Sequence, residues 1–215
     1  MLISHSHRFI FVKTKKTAGS SIEHFLVKNC FDPKKDICTG SKQDNTPRTG
    51  NISPGAADGH RSAKDIKILV GAPVWKSYYT FTVERNPWEK VVSEFYWKVN
   101  LNNGLRSDAE SFEYYVDNTL GRKYSPPVGW PLYTNNKKII VDEVIQYKDL
   151  SNSLTSLFQD KLNVTLSKEE FESTRKKSGK RKKHYTELYL KKKYIDKIAD
   201  IFSDEIKYFG YKFGE

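Results

Sequence analysis

No apolar run in these 215 residues approaches the roughly 18 that cross a bilayer. The opening stretch, Met1-Leu2-Ile3-Ser4-His5-Ser6-His7-Arg8, lacks the apolar core of a secretory signal. A cytoplasmic protein without a membrane span is therefore expected. Cysteine is scarce. Cys30 and Cys38 are the only two, their spacing fits no zinc or redox motif, and reduced thiols are expected. No cluster has metal-ligand spacing, and no metal is expected. A Walker A loop is missing as well, since no Gly-Lys-Ser/Thr follows a four-residue spacer. Acids are in the minority, 26 against 37 lysines and arginines, for a formal charge of +11. That excess favours anionic partners such as nucleotides, nucleic acid or anionic glycans. Length and a 37% hydrophobic content suit one domain, residues 1–215, with a full core.

The hydrophobic pattern alternates strands with helices. Arg8 to Lys13 reads as a strand, and Ile22, Phe25, Leu26 and Cys30 then follow helical spacing. Periodicity is lost over 31–59, a long polar stretch that is expected to face the acceptor or to be mobile. A short helix is predicted after His60-Arg61-Ser62, through Leu69. Tyr79 to Val83 is a second strand, and Pro87 suits the first turn of the helix that follows. Ser111–Leu120 and Leu150–Leu162 read as helices, and Lys138–Tyr147 as one or two strands broken at Asp142-Glu143. A last helix is expected over Thr186–Phe209. The N-terminal end carrying His5 and His7 is expected to be mobile. The order argues for an α/β fold with a central, mainly parallel sheet.

Two strand-turn-helix segments stand out. In the first, Gly19 lets backbone N–H groups of Lys16, Thr17, Ala18, Gly19, Ser20 and Ser21 approach an anion. Lys16 adds a point charge, and Thr17, Ser20 and Ser21 add hydroxyls. The plainer alternative is a capped helix with surface lysines. In the second, Arg85 ends a strand, where a guanidinium can fork onto phosphate oxygens, and Ser93 lies eight residues on. The plainer alternative there pairs Arg85 with Glu89 and leaves Ser93 exposed. His60, at a loop-to-helix junction, is the leading candidate for a neutral base, because a helix N-terminus disfavours imidazolium. His5, His7, His24 and His184 are its rivals. Should His60 fail, Glu23 and Asp58 are the carboxylates to consider.

Lys16-Thr17-Ala18-Gly19-Ser20-Ser21-Ile22-Glu23, Arg85-Asn86-Pro87-Trp88 with Ser93, and the tail from Ile201 to Phe213 together resemble the carbohydrate sulfotransferase family. The resemblance runs from about residue 8 to the end. It implies a P-loop-like three-layer domain and the co-substrate PAPS (3′-phosphoadenosine 5′-phosphosulfate), which leaves as adenosine 3′,5′-bisphosphate. It assigns the 5′-phosphosulfate to the first segment and the 3′-phosphate to Arg85 and Ser93. It places a base histidine between the two, where His60 lies. It also implies a late basic loop over the nucleotide. Arg175 to Lys183 holds seven cations and no acid, and Arg181 or a neighbouring lysine there could clamp a phosphate over Gly179. The sequence departs from the family pattern at Lys15, Glu84, Lys90 and Lys148, and these leave the acceptor open. The expected activity is sulfuryl transfer to an acceptor hydroxyl, on a carbohydrate by the same resemblance, with Lys16 and His60 catalytic. Two other readings remain. One is a P-loop-like nucleotide kinase, for which Glu84 would have to serve as the strand-end carboxylate. The other is a non-catalytic basic module for nucleic acid or anionic glycan.

Overall fold

The computed structural model describes residues 1–39, 59–100, 106–122, 125–174 and 184–215. In chain order these form β1 (Leu2–Ser4), β2 (Phe9–Val12), α1 (Gly19–Asn29), β3 (Ile37–Cys38), α2 (Ala63–Ser77), β4 (Tyr79–Glu84) and α3 (Pro87–Asn100). There follow α4 (Ala109–Asn118), α5 (Trp130–Tyr133), β5 (Thr134–Asn135), β6 (Lys138–Ile139), β7 (Glu143–Gln146), α6 (Leu150–Leu162), α7 (Lys168–Thr174), α8 (Lys192–Ile201) and α9 (Ser203–Phe209). They gather into two compact units. One contains 1–84 and 131–177, the other 85–130 and 178–215.

The first unit is α/β. Its five-stranded sheet has the order β3-β1-β2-β4-β7. The pairs β2/β4 and β4/β7 are parallel, with Phe11 opposite Phe81 and Val83 opposite Ile145. The pairs β1/β2 and β1/β3 are antiparallel. The sheet is thus mixed: a parallel half, on which the candidate site stands, is extended by an antiparallel edge. Phe9, Ile10, Phe11 and Val12 are all fully buried, the unbroken apolar run of a strand covered on both faces. Phe9, Phe11, Phe81 and Val83 meet Ile22, Phe25 and Leu26 of α1 and Leu154, Leu157 and Phe158 of α6 in one core. Both thiols are buried there, and burial, then the Asp36 carboxylate, push the Cys30 thiol up to about 12.

The N-terminal end is built into the sheet. Leu2 and Ile3 are fully buried in β1, and His5 Nδ1 lies 2.8 Å from the Tyr78 hydroxyl. Three residues at a chain end give too short a pattern for sequence reasoning to find. The helix after Ser62 extends past Leu69. It kinks where Gly71 takes φ 81°, and Pro73 opens its second half. The part of the long loop from 40 to 58 lies outside the described residues.

The second unit is helical. Trp88, Val91, Val92 and Phe95 of α3 pack with Phe112 and Tyr115 of α4 and with Tyr194 and Ile198 of α8. The long C-terminal helix expected from the sequence is broken instead. A 3₁₀ turn covers Tyr185–Leu188, α8 ends at Ile201, and α9 closes on Gly210 at φ 69°. Among the described residues no helix is long and apolar enough to cross a membrane.

Candidate functional site

The turn between β2 and α1 is built from the inside. Thr14 Oγ1 donates to the carbonyl of Val83 at the end of β4 and lies 2.8 Å from Thr17 Oγ1. Thr17 Oγ1 also donates to the Thr14 carbonyl, at 3.2 Å. Both hydroxyls are buried, so Thr17 braces the turn, and what it can offer an anion is its backbone N–H. Lys16 and Ala18 take φ 62° and 61°, on either side of Thr17, which is not left-handed. Alternation of this kind turns successive N–H groups toward one point and makes an anion-binding concavity. Left-handed Lys and Ala cost more there than Gly would, a strain that needs a reason.

Helix α1 begins directly on this turn. Ala18 is its N-cap and supplies no side-chain cap, and its first turn carries no acid. The positive end of the helix dipole is therefore not offset locally. Gly19 is fixed by close packing: a Cβ there would stand 2.6 Å from Lys13 Cγ. Ser20 and Ser21 are half-buried on the first turn.

Lys13 cannot move aside to relieve that crowding. Its Nζ donates to Glu23 Oε2 at 2.6 Å, and both side chains are buried. The other oxygen of Glu23 accepts from the Met1 amino group at 2.8 Å. The sequence reading missed Lys13 as a participant. The available signal was Glu23, an acid beside Leu26 and Cys30 on the helix stripe, which demands a cation once buried. A carboxylate held by Lys13 in the core is poorly placed to be a base, and the fallback role for Glu23 falls away. Asp58 lies outside the described residues.

His60 comes to the same turn. Its Nδ1 lies 3.0 Å from the Lys13 carbonyl, three residues before Lys16, and the residue is half-buried. A carbonyl only accepts, so Nδ1 carries the proton, and in the neutral ring the lone pair is on Nε2. The helix expected beside His60 begins three residues further on. Helix α2 starts at Ala63 with Ser62 as its cap, whose Oγ accepts from Asp65 N at 3.1 Å. The carbonyl of Lys13 orients the ring. Among its rivals, His24 is exposed on α1, and His184 caps the turn at Tyr185.

In the helical unit, Arg85 is 9% exposed, and its Nη2 pairs with Glu89 Oε1 at 2.7 Å. The plainer alternative for this arginine is thus realised in part, while Ser93 is half-buried rather than exposed. Lys90 is fully buried, 5.8 Å from the centre of the Phe202 ring. Glu84, at the end of β4, is buried and accepts from the Tyr133 hydroxyl at 2.9 Å. Arg181 and the whole segment 175–183 lie outside the described residues. No group of three or more metal-binding side chains occurs among those described.

A protein of Archaeoglobus fulgidus named only as uncharacterized is 31% identical over 101 residues, covering 44% of this chain and 76% of the relative. The chain belongs to that protein's family. The relative's name assigns no activity. No family model and no solved structure matches.

Proposed function

We propose that the chain is a PAPS-dependent sulfotransferase on a P-loop-like three-layer domain, acting on a hydroxyl of a carbohydrate acceptor. The observation that carries this reading is the meeting of two things at one turn. An uncapped helix N-terminus follows left-handed Lys16 and Ala18, and a histidine is held there with its lone pair on Nε2. The fit to an anionic group rests on that uncapped end, whose first turn carries no acid.

In this reading the co-substrate supplies an activated sulfuryl group and a stable leaving group. The N–H groups of 16–21 and the Lys16 ammonium hold its 5′ end. Arg85, Ser93 and Arg181 are assigned to the 3′-phosphate. His60 Nε2 takes the proton of the acceptor hydroxyl. The acceptor oxygen forms a bond to sulfur as the bond from sulfur to the bridging oxygen breaks. Lys16 neutralises the charge that grows on that departing oxygen. Catalysis of this kind is positioning plus electrostatics.

Calorimetry tests the reading. Adenosine 3′,5′-bisphosphate should bind more tightly than AMP, or than ATP without Mg²⁺, because two separate anion sites are implied. Equal affinity for AMP and the bisphosphate would remove the 3′-phosphate assignment. Salt-sensitive binding of nucleic acid with no response to the bisphosphate would favour a basic module instead.

A further inference from the structure

The opposite end of the same parallel strands holds a second concavity, of about 780 Å³, that the sulfotransferase reading does not use. It opens where β2 and β4 begin, whereas the turn at Lys16 lies where β2 ends. Arg8, Lys67, Lys76 and Lys161 line it. They come from the β1–β2 turn, from α2 and from the end of α6. We propose that this concavity is a binding site for a sugar ring that carries several sulfate or phosphate groups.

The charge balance is the first argument. None of the four cations has a carboxylate within ion-pair distance among the described residues. Some lysines elsewhere are paired, Lys28 with Glu170, Lys191 with Glu113 and Lys197 with Asp117. Asp142 also lines the concavity, with its carboxylate hydrogen-bonded to the neighbouring strand. Asp142 Oδ2 accepts from Thr80 N at 2.8 Å and from Thr80 Oγ1 at 2.7 Å. Glu143 Oε2 accepts from the Tyr79 hydroxyl at 2.8 Å. Four cations therefore share one cavity with a single carboxylate, Asp142, and that carboxylate is hydrogen-bonded to Thr80. Like charges gathered in a concave wall focus a field that an anion relieves.

The backbone is the second argument. Arg8 has φ 56°, a left-handed position where Gly or Asn would be less strained. Its guanidinium is held at the rim by the Ser77 carbonyl, at 3.3 Å. Strain at an arginine that lines a cavity points to binding rather than to folding.

Aromatic lining narrows the ligand class. Trp75, Tyr78 and Tyr79 share the wall with the cations. Flat apolar rings suit the apolar faces of a pyranose, while the cations take oxyanions on its rim. The volume admits a ligand of one or two rings.

Sucrose octasulfate and inositol hexakisphosphate are the probes, with neutral sucrose as the blank. Site-resolved lysine acetylation, read by mass spectrometry, should show Lys67, Lys76 and Lys161 protected by at least one anionic probe. Lys192 and Lys207 should stay reactive, and sucrose should protect nothing. The more effective probe identifies the oxyanion. The double variant Lys67→Ala/Lys161→Ala should bind that probe roughly tenfold more weakly, the sum of two partly exposed charge contacts. Lys192→Ala/Lys207→Ala should bind it as the parent does. Protection spread evenly over all lysines, protection by neither probe, or an unchanged affinity in the Lys67→Ala/Lys161→Ala variant overturns the proposal. These readouts need no sulfuryl transfer, so they stand or fall apart from the sulfotransferase reading.

Discussion

The turn after β2 and the turn after β4 look interchangeable as sequence: a strand, a cation, a hydroxyl and a helix. Their surroundings differ. At the first, Lys16 and Ala18 are left-handed, the helix end is uncapped, and the first helical turn bears no acid. At the second, Arg85 already holds Glu89, and the Asn86 side chain accepts from Trp88 N at 3.2 Å. An uncapped helix end leaves its own field to whatever anion meets it. A cation that carries its own carboxylate has spent part of its field before any ligand arrives. The first turn is therefore the better candidate for stabilising charge in a transition state, and the second for recognising a ligand that displaces or outcompetes a partner.

The sharpest break of this comparison is at His60. His60→Ala should retain bisphosphate affinity and lose transfer by roughly 10²–10⁴-fold. Full transfer by a folded variant would leave the first turn without a base. Stability gives the next effect. Glu23→Ala strands the buried Lys13 ammonium and should cost about 3–5 kcal/mol by denaturant unfolding, the range for halving a buried ion pair. A cost below about 1 kcal/mol would mean that Lys13 finds water instead.

Lys16 and Arg85 then separate the two turns by kinetics. Lys16→Ala should lower kcat by about a hundredfold with a smaller change in binding. Arg85→Ala should weaken bisphosphate binding by about 1.5–3 kcal/mol, the range for hydrogen bonds to charged groups. Glu89→Gln sharpens the contrast. If Arg85 meets a phosphate, releasing it from Glu89 should tighten bisphosphate binding by a few-fold, on the order of one exposed ion pair. Weaker binding in that variant would mean that Glu89 orients the guanidinium rather than competing for it.

The parts that sequence made legible share one property: local pattern was enough. β2 and β4 are continuous runs of aromatic and β-branched residues, and α6 spans Leu150–Leu162 as its periodicity indicates. Gly19 and Lys16 could be singled out because a strand, a glycine and a helix adjoin in sequence. What stayed hidden depends on pairing across the chain. β1 and β3 are short strands whose apolar residues only make sense in the sheet, where β1 pairs with β2 and β3 with β1. The pairing of Lys13 with Glu23 joins a strand end to the second turn of a helix. The tautomer of His60 is set by a carbonyl 47 residues away. Position in the sequence could nominate His60, but the group that orients it was not readable there. The basic wall at the other strand ends was hidden for the same reason, since Arg8, Lys67, Lys76 and Lys161 form no run.

The smallest expected effect concerns the frame on which the first turn rests. Asp36 closes the β1–β2 turn. Ser6 Oγ donates to its carboxylate at 2.6 Å, Asp32 N at 2.9 Å, Ser6 N at 3.0 Å and Ser4 Oγ at 3.0 Å. Burial alone would raise this carboxyl. The hydrogen bonds outweigh it and hold the folded-state value below the ordinary 3.8. A depressed carboxyl contributes stability that is complete above the unfolded value and is lost as pH falls through the folded one. The melting temperature should therefore drop on acidification below about pH 4 more steeply in the parent than in Asp36→Asn, which has no proton to take up there. The two curves should approach each other at the acid end. Parallel curves would mean that the turn is held by its backbone, and that the antiparallel edge contributes nothing pH-dependent to the strand from which Lys16 is presented.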